Sequence, residues 1–254
     1  MNSYYHLPNL ENENNIDYRS WVGGMWEEIG SLQKKFLIEQ GLEKNFKFLD
    51  LGCGCLRGGV KIIDYLEKYN YYGQDINSYL LKMGIEKEIP KYNLKEKILK
   101  NNFCISEDFT LDYIENIFDM GISQSVFTHL PLNHLFVCLI NVSKHFKPKS
   151  KFFITFWIVP ENFNNTKKFY HKGNISTSFL NDPYHYKESQ IKFIANHRDI
   201  KYLWEYEYIG NWNHPRDQKI VCFTKKNSQL IEREHQSFQI CSSKKSIYKN
   251  LNYS

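Results

Sequence analysis

Apolar and polar residues follow two different periods along the middle of the chain. Short apolar runs of the kind found in buried β-strands cover residues 46–52, 70–76, 101–105, 118–125 and 151–159, the third being the weakest. Between and after these runs, apolar residues recur every three or four positions, as in amphipathic helices, over 60–69, 79–89, 131–146 and 188–198. This alternation of strands and helices predicts a parallel sheet that is covered by helices on both faces.

The two ends of this pattern depart from simple alternation. At the N-terminal side, helical spacing over 15–42 is interrupted by Gly23 and Gly24, so we expect a short helix or loop and then a longer helix from about residue 25. At the C-terminal side, two further strands are predicted over 201–210 and 218–225. Only NWNHPRD joins them, and so short a connection predicts an antiparallel hairpin at or near a sheet edge.

Length and composition favour one domain with additions. A chain of 254 residues can bury one full core, and nothing in its composition marks a second domain of comparable size. We divide the chain into an N-terminal helical cover over 1–44, a core over 45–225 and a polar tail over 226–254. Within the core, the polar and aromatic stretch 160–186 is predicted to be an insertion after the fifth strand.

Charge and cysteine use exclude few functions. The formal net charge is +5 and the basic residues are scattered among acids, so nucleic acid is neither required nor excluded as a partner. The six cysteines include no Cys-x-x-Cys pair, which predicts neither a metal site nor a disulfide framework, and Cys53 and Cys55 are interpreted as small buried thiols. The N-terminus is polar, and the longest apolar run, FFITFWIV, is too short to span a bilayer. We therefore expect a cytoplasmic protein without membrane insertion.

The first predicted strand ends in an acid and a glycine-rich turn, FLDLGCGCLRGG over 48–59. In an open α/β sheet this turn faces the ligand crevice, and its glycines let the backbone approach a ligand closely. Asp50 beside the turn would repel a pyrophosphate but hold a cationic group. Asp75, 25 residues further on at the end of the second strand, is placed to accept the hydroxyls of a ribose. A ligand with both features is S-adenosylmethionine, and the structural alternatives are a turn cap for Asp50 and a solvated strand end for Asp75.

These segments resemble those of class I S-adenosylmethionine-dependent methyltransferases over about residues 45–225. LDLGCGCLRGG is similar to the family's first motif, YYGQDIN to the segment with its ribose-binding acid, FDMGISQSVFTHL to its fourth-strand motif, and the terminal hairpin to its antiparallel seventh strand. The resemblance implies a Rossmann-like α/β fold with a seven-stranded sheet and helices on both faces. It also implies a cofactor site that contains Asp50, Gly52, Cys53, Gly54, Asp75, Ile76, Gln124 and an acid after the third strand, Asp108 or Glu107.

His129 lies just past the fourth strand and immediately before the helix that begins near Pro131, so it is expected to face the crevice. Histidine titrates near neutral pH and can take the proton of a hydroxyl acceptor, so we interpret His129 as a general base, with helix capping or packing as the alternative. Thr128 is predicted to orient the acceptor or to cap the helix. The Asn/Asp-Pro-Pro-Tyr/Phe signature of amino-directed methyltransferases and the clustered acids of catechol-type metal sites are missing from this segment.

Three segments supply candidate residues for binding the methyl acceptor. Arg57 in the glycine-rich turn is placed to bind a carboxylate of the cofactor or of the acceptor, or to pair with a surface acid. A Trp face can stack on a sugar ring, while His and Arg can bind hydroxyls or phosphate; loop packing and a rigid turn held by Pro215 are the alternatives. The candidates are Tyr170, His171, Tyr184 and His185 in the insertion and Trp212, His214, Arg216 and Gln218 in the hairpin turn.

The stretch DYRSWVGGMWEEIG, together with GCGCLRGG and NHPRDQ, resembles methyltransferases encoded with bacterial capsule or O-antigen enzymes. It implies an N-terminal cover over the cofactor, in which Arg19, Trp21 and Trp26 either contribute to the cover or pack in the core. The resemblance further implies methyl transfer to a sugar hydroxyl, on a nucleotide-linked hexose or heptose destined for capsular polysaccharide or lipopolysaccharide. The expected partner is this small molecule and not a nucleic acid. Methylation of RNA or protein, and a non-catalytic subunit that binds the cofactor, are the alternatives.

Overall fold

The computed structural model describes residues 17–111 and 117–227 of the chain. The first part of the predicted cover, over 1–16, and all but two residues of the predicted tail lie outside the described residues. Five of the six cysteines lie in the described part, where all five are buried and in the free thiol form. Within that part, no helix is both long enough and apolar enough to cross a bilayer.

The centre of the fold is one mixed β-sheet with the strand order β3-β2-β1-β4-β5-β10-β9. Strands β1 to β5 pair in parallel, whereas β10 runs antiparallel to both β5 and β9. The predicted Rossmann-like sheet with a terminal antiparallel hairpin is therefore confirmed. Its strands are β1 (Phe48–Leu51), β2 (Tyr71–Asp75), β3 (Phe103–Ile105), β4 (Phe118–Ser123), β5 (Phe146–Ile158), β9 (Trp204–Asn211) and β10 (Lys219–Lys225).

Helices cover both faces of this sheet because side chains alternate in direction along each strand. Phe48 of β1 packs in the cluster formed with α2, α3 and α4, whereas its neighbour Leu49 packs in the cluster formed with α6, α7 and α8. The helices are α1 (Tyr18–Trp21), α2 (Trp26–Glu39), α3 (Gly59–Tyr65), α4 (Ser78–Met83), α5 (Ile89–Lys91), α6 (Asn133–Ser143), α7 (Glu188–Ala195) and α8 (Arg198–Lys201).

Two predicted helices are each divided in the structure. A π-helical turn over Gly84–Glu88 separates α4 from α5, because Pro90 has no N–H to continue the helical ladder and Gly84 packs closely against Leu56. The helix predicted over 188–198 ends at Ala195, and α8 follows it. Strand β9 consequently begins at Trp204 instead of residue 201.

The insertion over 160–186 has secondary structure that its polar sequence did not predict. Strands β6 (Phe169–His171) and β7 (Ile175–Thr177) form an antiparallel hairpin separate from the main sheet. Strand β8 (His185–Tyr186) then pairs in parallel with the end of β5. The insertion is thereby fixed beside the carboxyl end of β5, next to the ligand crevice of the sheet.

The described part of the N-terminal cover is attached to the core by a buried ion pair. Arg19 donates from Nε and Nη2 to the two carboxylate oxygens of Glu88, at 2.7 and 2.6 Å, and Tyr18 donates a third hydrogen bond to the same carboxylate. The Glu88 side chain is fully buried, and the guanidinium of Arg19 also lies over the ring of Trp26. Burial raises the pKa of Tyr18 to about 12, and the hydrogen bond to the Glu88 carboxylate adds to this effect, so the hydroxyl stays protonated.

Arg19→Ala is expected to lower the free energy of unfolding by about 2–3 kcal/mol, because it leaves Glu88 buried with only the Tyr18 hydroxyl as a partner. The matched control is Lys35→Ala, which removes an exposed pair with Glu39 and should change stability by less than about 0.5 kcal/mol. Urea denaturation of both variants measures the difference. Equal effects would mean that the Arg19–Glu88 contact does not anchor the cover.

Candidate functional site

A pocket opens at the carboxyl ends of β1, β2 and β4, where the fold places its ligand crevice. Its empty volume, including the open mouth, is about 990 Å³. Nine of the residues that the sequence predicted for the site line this pocket: Asp50, Gly52, Cys53, Gly54, Arg57, Asp75, Ile76, Gln124 and His129. The pocket therefore brings together the predicted cofactor residues, with the exception of Asp108, and the predicted base.

The turn after β1 requires glycine at two positions. Gly52 and Gly54 have φ angles of +76° and +53°, which side chains rarely allow, and a Cβ on Gly52 would lie only 2.1 Å from the Val126 side chain. The N–H groups of Gly52 and Cys53 donate to the carbonyl of Gln74 at 2.7 and 3.0 Å. The turn is therefore held against the end of β2, and Val126 packs directly against Gly52.

Asp75 is held in place by the backbone that surrounds it. Its Oδ2 accepts the N–H of Gly54 at 2.7 Å, and its Oδ1 accepts the N–H of Asn77 at 2.8 Å. Burial raises the pKa of Asp75, while these two backbone hydrogen bonds act in the opposite direction. Asp75 is thus a buried carboxylate that lines the pocket, not a solvated strand end.

Asp50 is a second buried carboxylate on the same pocket. The hydroxyl of Tyr71 donates to its Oδ2 at 2.7 Å. Burial raises the pKa of Asp50 to about 7, and the nearby charge of Asp75 adds to this effect, while Tyr71 and Arg57 oppose it. Two carboxylates in one buried pocket favour a ligand that carries positive charge.

Gln124, directly after β4, contributes a donor to the pocket wall. Its Nε2 is buried and makes no hydrogen bond to any of the described residues. A buried amide without an acceptor costs free energy, so this atom indicates a ligand with a hydrogen-bond acceptor at this position. The observation agrees with the prediction that Gln124 belongs to the cofactor site.

The acid after β3 that faces the pocket is Glu107 and not Asp108. Asp108 is exposed, and its Oδ1 accepts hydrogen bonds from the N–H and hydroxyl of Thr110 and from the hydroxyl of Ser106. The hydrogen bonds from Thr110 lower the pKa of Asp108. The same bonds close a local turn, which is the role of this carboxylate in the structure. Apolar side chains of Ile76, Leu80, Phe109 and Leu130 line the pocket together with Glu107.

His129 reaches the pocket from the segment between β4 and α6, and its Nδ1 lies 2.6 Å from Oδ1 of Asp182 in the insertion. Thr128 does not reach the pocket. Its side chain is fully buried and donates to the carbonyl of Ser125 at 2.6 Å, and Leu132, not Thr128, is the N-cap of α6. Neither predicted role of Thr128 fits, because its hydroxyl stabilises the turn that presents His129.

The two predicted histidines of the insertion form an internal network away from the pocket lining. Nε2 of His171 and Nδ1 of His185 both contact the hydroxyl of Thr177, each at 2.9 Å. Burial lowers the pKa of His171 to about 4, so this ring is neutral at physiological pH. Tyr170, on the adjacent position of β6, is mostly exposed. We therefore assign His171 to the stability of the insertion instead of to acceptor binding.

The hairpin turn between β9 and β10 supports the N-terminal cover. Trp212 is buried, its Nε1 donates to the carbonyl of Gln218, and its ring packs against Phe36 and His214, so no ring face is open for a sugar. Burial lowers the pKa of His214 to about 3. Arg216 donates from Nη2 to the carbonyl of Gly23 at 2.6 Å. These contacts correspond to the alternative of a structural turn.

Arg57 holds the same part of the cover from the pocket side. Its Nη1 donates to the carbonyls of Val22 and Gly24 at 2.5 and 3.0 Å. Val22 in turn lines the pocket, and its Cγ1 would lie 2.9 Å from a Cβ on Gly54. Arg57 and Arg216 together hold residues 22–24, and Val22 of this segment forms part of the pocket wall.

Several residues in or beside the pocket were not predicted from the sequence. Asp182 contacts His129 from a loop that no motif marked, and Gln33 projects from α2. Among the described residues, no group of three or more His, Cys, Asp and Glu side chains is arranged to hold a metal ion. Further residues that line the pocket without having been predicted are Val22, Gln74, Leu80, Ser106, Phe109, Ser125, Val126, Leu130 and His134.

Comparison with known proteins supports the fold assignment. No protein-family model matches the chain. Magnesium protoporphyrin IX methyltransferase from Synechocystis PCC 6803, solved with bound S-adenosylmethionine, is 13% identical, and the alignment covers 88% of this chain and 90% of that chain with a TM-score of 0.54. The YcgJ protein from Bacillus subtilis is 9% identical and aligns over 78% and 99% with a TM-score of 0.56.

The name of a third similar structure also refers to S-adenosylmethionine. An S-adenosylmethionine-dependent methyltransferase from Clostridium acetobutylicum is 13% identical and aligns over 89% of this chain and 98% of that chain, with a TM-score of 0.51. At such low identities the likeness concerns the fold. With the strand order and the terminal hairpin described above, the chain has the Rossmann-like fold of class I S-adenosylmethionine-dependent methyltransferases.

Proposed function

We propose that this chain is an S-adenosylmethionine-dependent O-methyltransferase that acts on a sugar hydroxyl. The acceptor we infer is a nucleotide-linked hexose or heptose for capsular polysaccharide or lipopolysaccharide, as the sequence resemblance implies. The observation that carries the proposal is the pair Asp50 and Asp75, two buried carboxylates that line one pocket at the ends of adjacent parallel strands. Such a pair suits a ligand with a ribose at one end and a cationic amino-acid group at the other.

The residues of the pocket fit this cofactor. Asp75 would accept the ribose hydroxyls and Asp50 would hold the ammonium, while the glycine-rich turn between them lines the pocket. The unpaired amide of Gln124 would donate to an acceptor atom of the amino-acid end. When bound, S-adenosylmethionine supplies a sulfonium methyl group, whose transfer to oxygen breaks the carbon–sulfur bond.

His129 would supply the proton chemistry. A sugar hydroxyl is a poor nucleophile until its proton is removed, and His129 is the predicted base that lines the pocket. Residues 22–24, held by Arg57 and Arg216, would exclude water from the same pocket. The proposal thus assigns binding to the carboxylates, proton removal to the imidazole and closure to the N-terminal cover.

Purified protein with methyl-labelled S-adenosylmethionine and a panel of nucleotide sugars tests this function. Label transfer to at least one nucleotide sugar is the expected result. Transfer to RNA or peptide but to no sugar would reject the sugar acceptor in favour of methylation of RNA or protein. Cofactor binding by calorimetry without transfer to any of these acceptors would instead favour a non-catalytic binding subunit.

The raised pKa of Asp50 makes cofactor affinity depend on pH. Below a pH of about 7 the carboxyl holds a proton in the cofactor-free protein, and binding an ammonium beside it must displace that proton. Affinity should therefore fall about tenfold for each pH unit below 7 and level off above it. Calorimetry from pH 5.5 to 8.5 measures this profile.

Asp50→Asn should weaken binding at pH 8 and flatten the profile, since the titrating group is gone. The matched control is Asp64→Asn, which alters an exposed acid paired with Lys34 and should leave the profile unchanged. A wild-type profile that stays level between pH 5.5 and 8.5 would argue against an ionised Asp50 in the bound state.

A further inference from the structure

The contact between His129 and Asp182 joins two segments that are far apart in the chain. Nδ1 of the imidazole lies 2.6 Å from Oδ1 of the carboxylate, across a sequence separation of 53 residues. Both side chains are largely shielded, with 26% of the imidazole and 13% of the carboxylate exposed. A short contact with so little water around it fixes the orientation of the ring.

We propose that Asp182 is the positioning residue for His129, which selects the nitrogen that acts as the base. This inference rests on the proposed function, in which His129 takes the proton of the acceptor hydroxyl. An ionised carboxylate can only accept hydrogen bonds, so the proton of the neutral imidazole is held on Nδ1. Nε2 is then the basic nitrogen of a ring that lines the pocket.

The position of Asp182 does not depend on its contact with His129. The backbone N–H of Tyr184 donates to the carbonyl of Thr128 at 2.7 Å, and the hydroxyl of Tyr186 donates to the carbonyl of Leu130 at 2.7 Å. These two bonds dock the insertion on the residues that flank His129 on either side. A substitution at Asp182 is therefore expected to leave the loop in place and to change the partner of the imidazole.

His129 and Asp182 would be sufficient to accept and stabilise the proton of the acceptor. The acceptor oxygen would give its proton to Nε2 of His129 as it bonds to the methyl carbon, and the electron pair of the broken carbon–sulfur bond would stay on the sulfur. The imidazole would become an imidazolium with protons on both nitrogens. The carboxylate of Asp182 stabilises this cation at the distance of a charge-assisted hydrogen bond. The proton then leaves Nε2 to solvent, which restores the starting tautomer.

The test compares Asp182→Asn, Asp182→Glu and a control, Glu161→Gln. Glu161 is an exposed acid of the same insertion that accepts hydrogen bonds from Ser189 and does not line the pocket. In the proteins without cofactor or acceptor, nitrogen-15 NMR of His129 should show Nδ1 protonated in the wild type and in Glu161→Gln. Asp182→Asn should give a mixture of tautomers, because its amide can both donate and accept.

Kinetics provide the second readout. Asp182→Asn should lower kcat by about 10- to 100-fold, less than loss of the base itself, while the dissociation constant for S-adenosylmethionine stays within about threefold. Asp182→Glu, which keeps the carboxylate, should recover part of the rate and the Nδ1 tautomer. Thermal melting confirms that each variant is folded at the assay temperature.

The outcomes separate this inference from the proposed function. An unchanged tautomer in Asp182→Asn, or an equal loss of kcat in Glu161→Gln, would overturn the role of Asp182. A tautomer change together with a failure to methylate any sugar would uphold the positioning role and reject the proposed acceptor. Loss of cofactor binding in Asp182→Asn would show that Asp182 supports the pocket as a whole and would also overturn the inference.

Discussion

Asp75→Ala is expected to weaken the binding of S-adenosylmethionine by about 100- to 20,000-fold. The carboxylate accepts the N–H groups of Gly54 and Asn77 and lines the pocket, so it is held in position before a ligand arrives. Two hydrogen bonds from ribose hydroxyls to a charged and pre-positioned acceptor are worth about 1.5–3 kcal/mol each, and every 1.4 kcal/mol is a factor of ten in affinity. Calorimetry with the cofactor measures the loss.

Asp75 also holds the glycine-rich turn, so the stability of the variant has to be measured beside its affinity. Asp75→Asn serves as a milder companion, because the amide keeps one acceptor oxygen but loses the charge. Asp64→Ala, at an exposed acid paired with Lys34, is the matched control and should bind the cofactor normally. A folded Asp75→Ala protein with wild-type affinity would remove Asp75 from the cofactor site.

His129→Ala is expected to lower kcat by about 100- to 10,000-fold, the range that a general base contributes to a proton transfer. The affinity for S-adenosylmethionine should change by less than about threefold, because the cofactor is assigned to Asp50, Asp75 and the glycine-rich turn. Binding by calorimetry and turnover with a labelled methyl group give the two numbers independently.

The cofactor measurement also shows whether the His129→Ala protein is folded. His197→Ala is a useful control, since His197 is half-exposed before α8 and packs against Phe136 instead of lining the pocket. It should retain full turnover. A His129→Ala protein with the wild-type rate would require another group to accept the proton, or an acceptor that needs no base.

The predictions that succeeded depended on residues close together in sequence. The order of strands and helices follows from local periodicity, and the parallel sheet follows from that alternation. Asp50 and Asp75 lie at the ends of β1 and β2, and the strand ends of a parallel sheet meet at one edge. Their convergence on one pocket could therefore be predicted without any knowledge of tertiary contacts.

The predictions that failed depended on contacts between distant segments. Trp212 and His171 are residue types that often bind ligands, but the first packs on Phe36 of α2 and the second contacts Thr177 across a hairpin that no periodicity indicated. Asp182, by contrast, was not predicted from the sequence at all. Nothing in its neighbourhood marks it, and only the docking of the insertion on residues 128–130 brings it to His129.

Because Asp50 is buried, its ionisation affects how the stability of the folded protein depends on pH. An unfolded chain releases the Asp50 proton near pH 3.8, whereas the folded, ligand-free chain keeps it up to about pH 7. Folding is therefore progressively less favourable as the solution becomes more alkaline across that interval, and this deficit persists above it. Asp50→Asn should therefore give a protein that is more stable but binds the cofactor more weakly. A directed-evolution experiment that selects only for thermal stability should lose this carboxylate early.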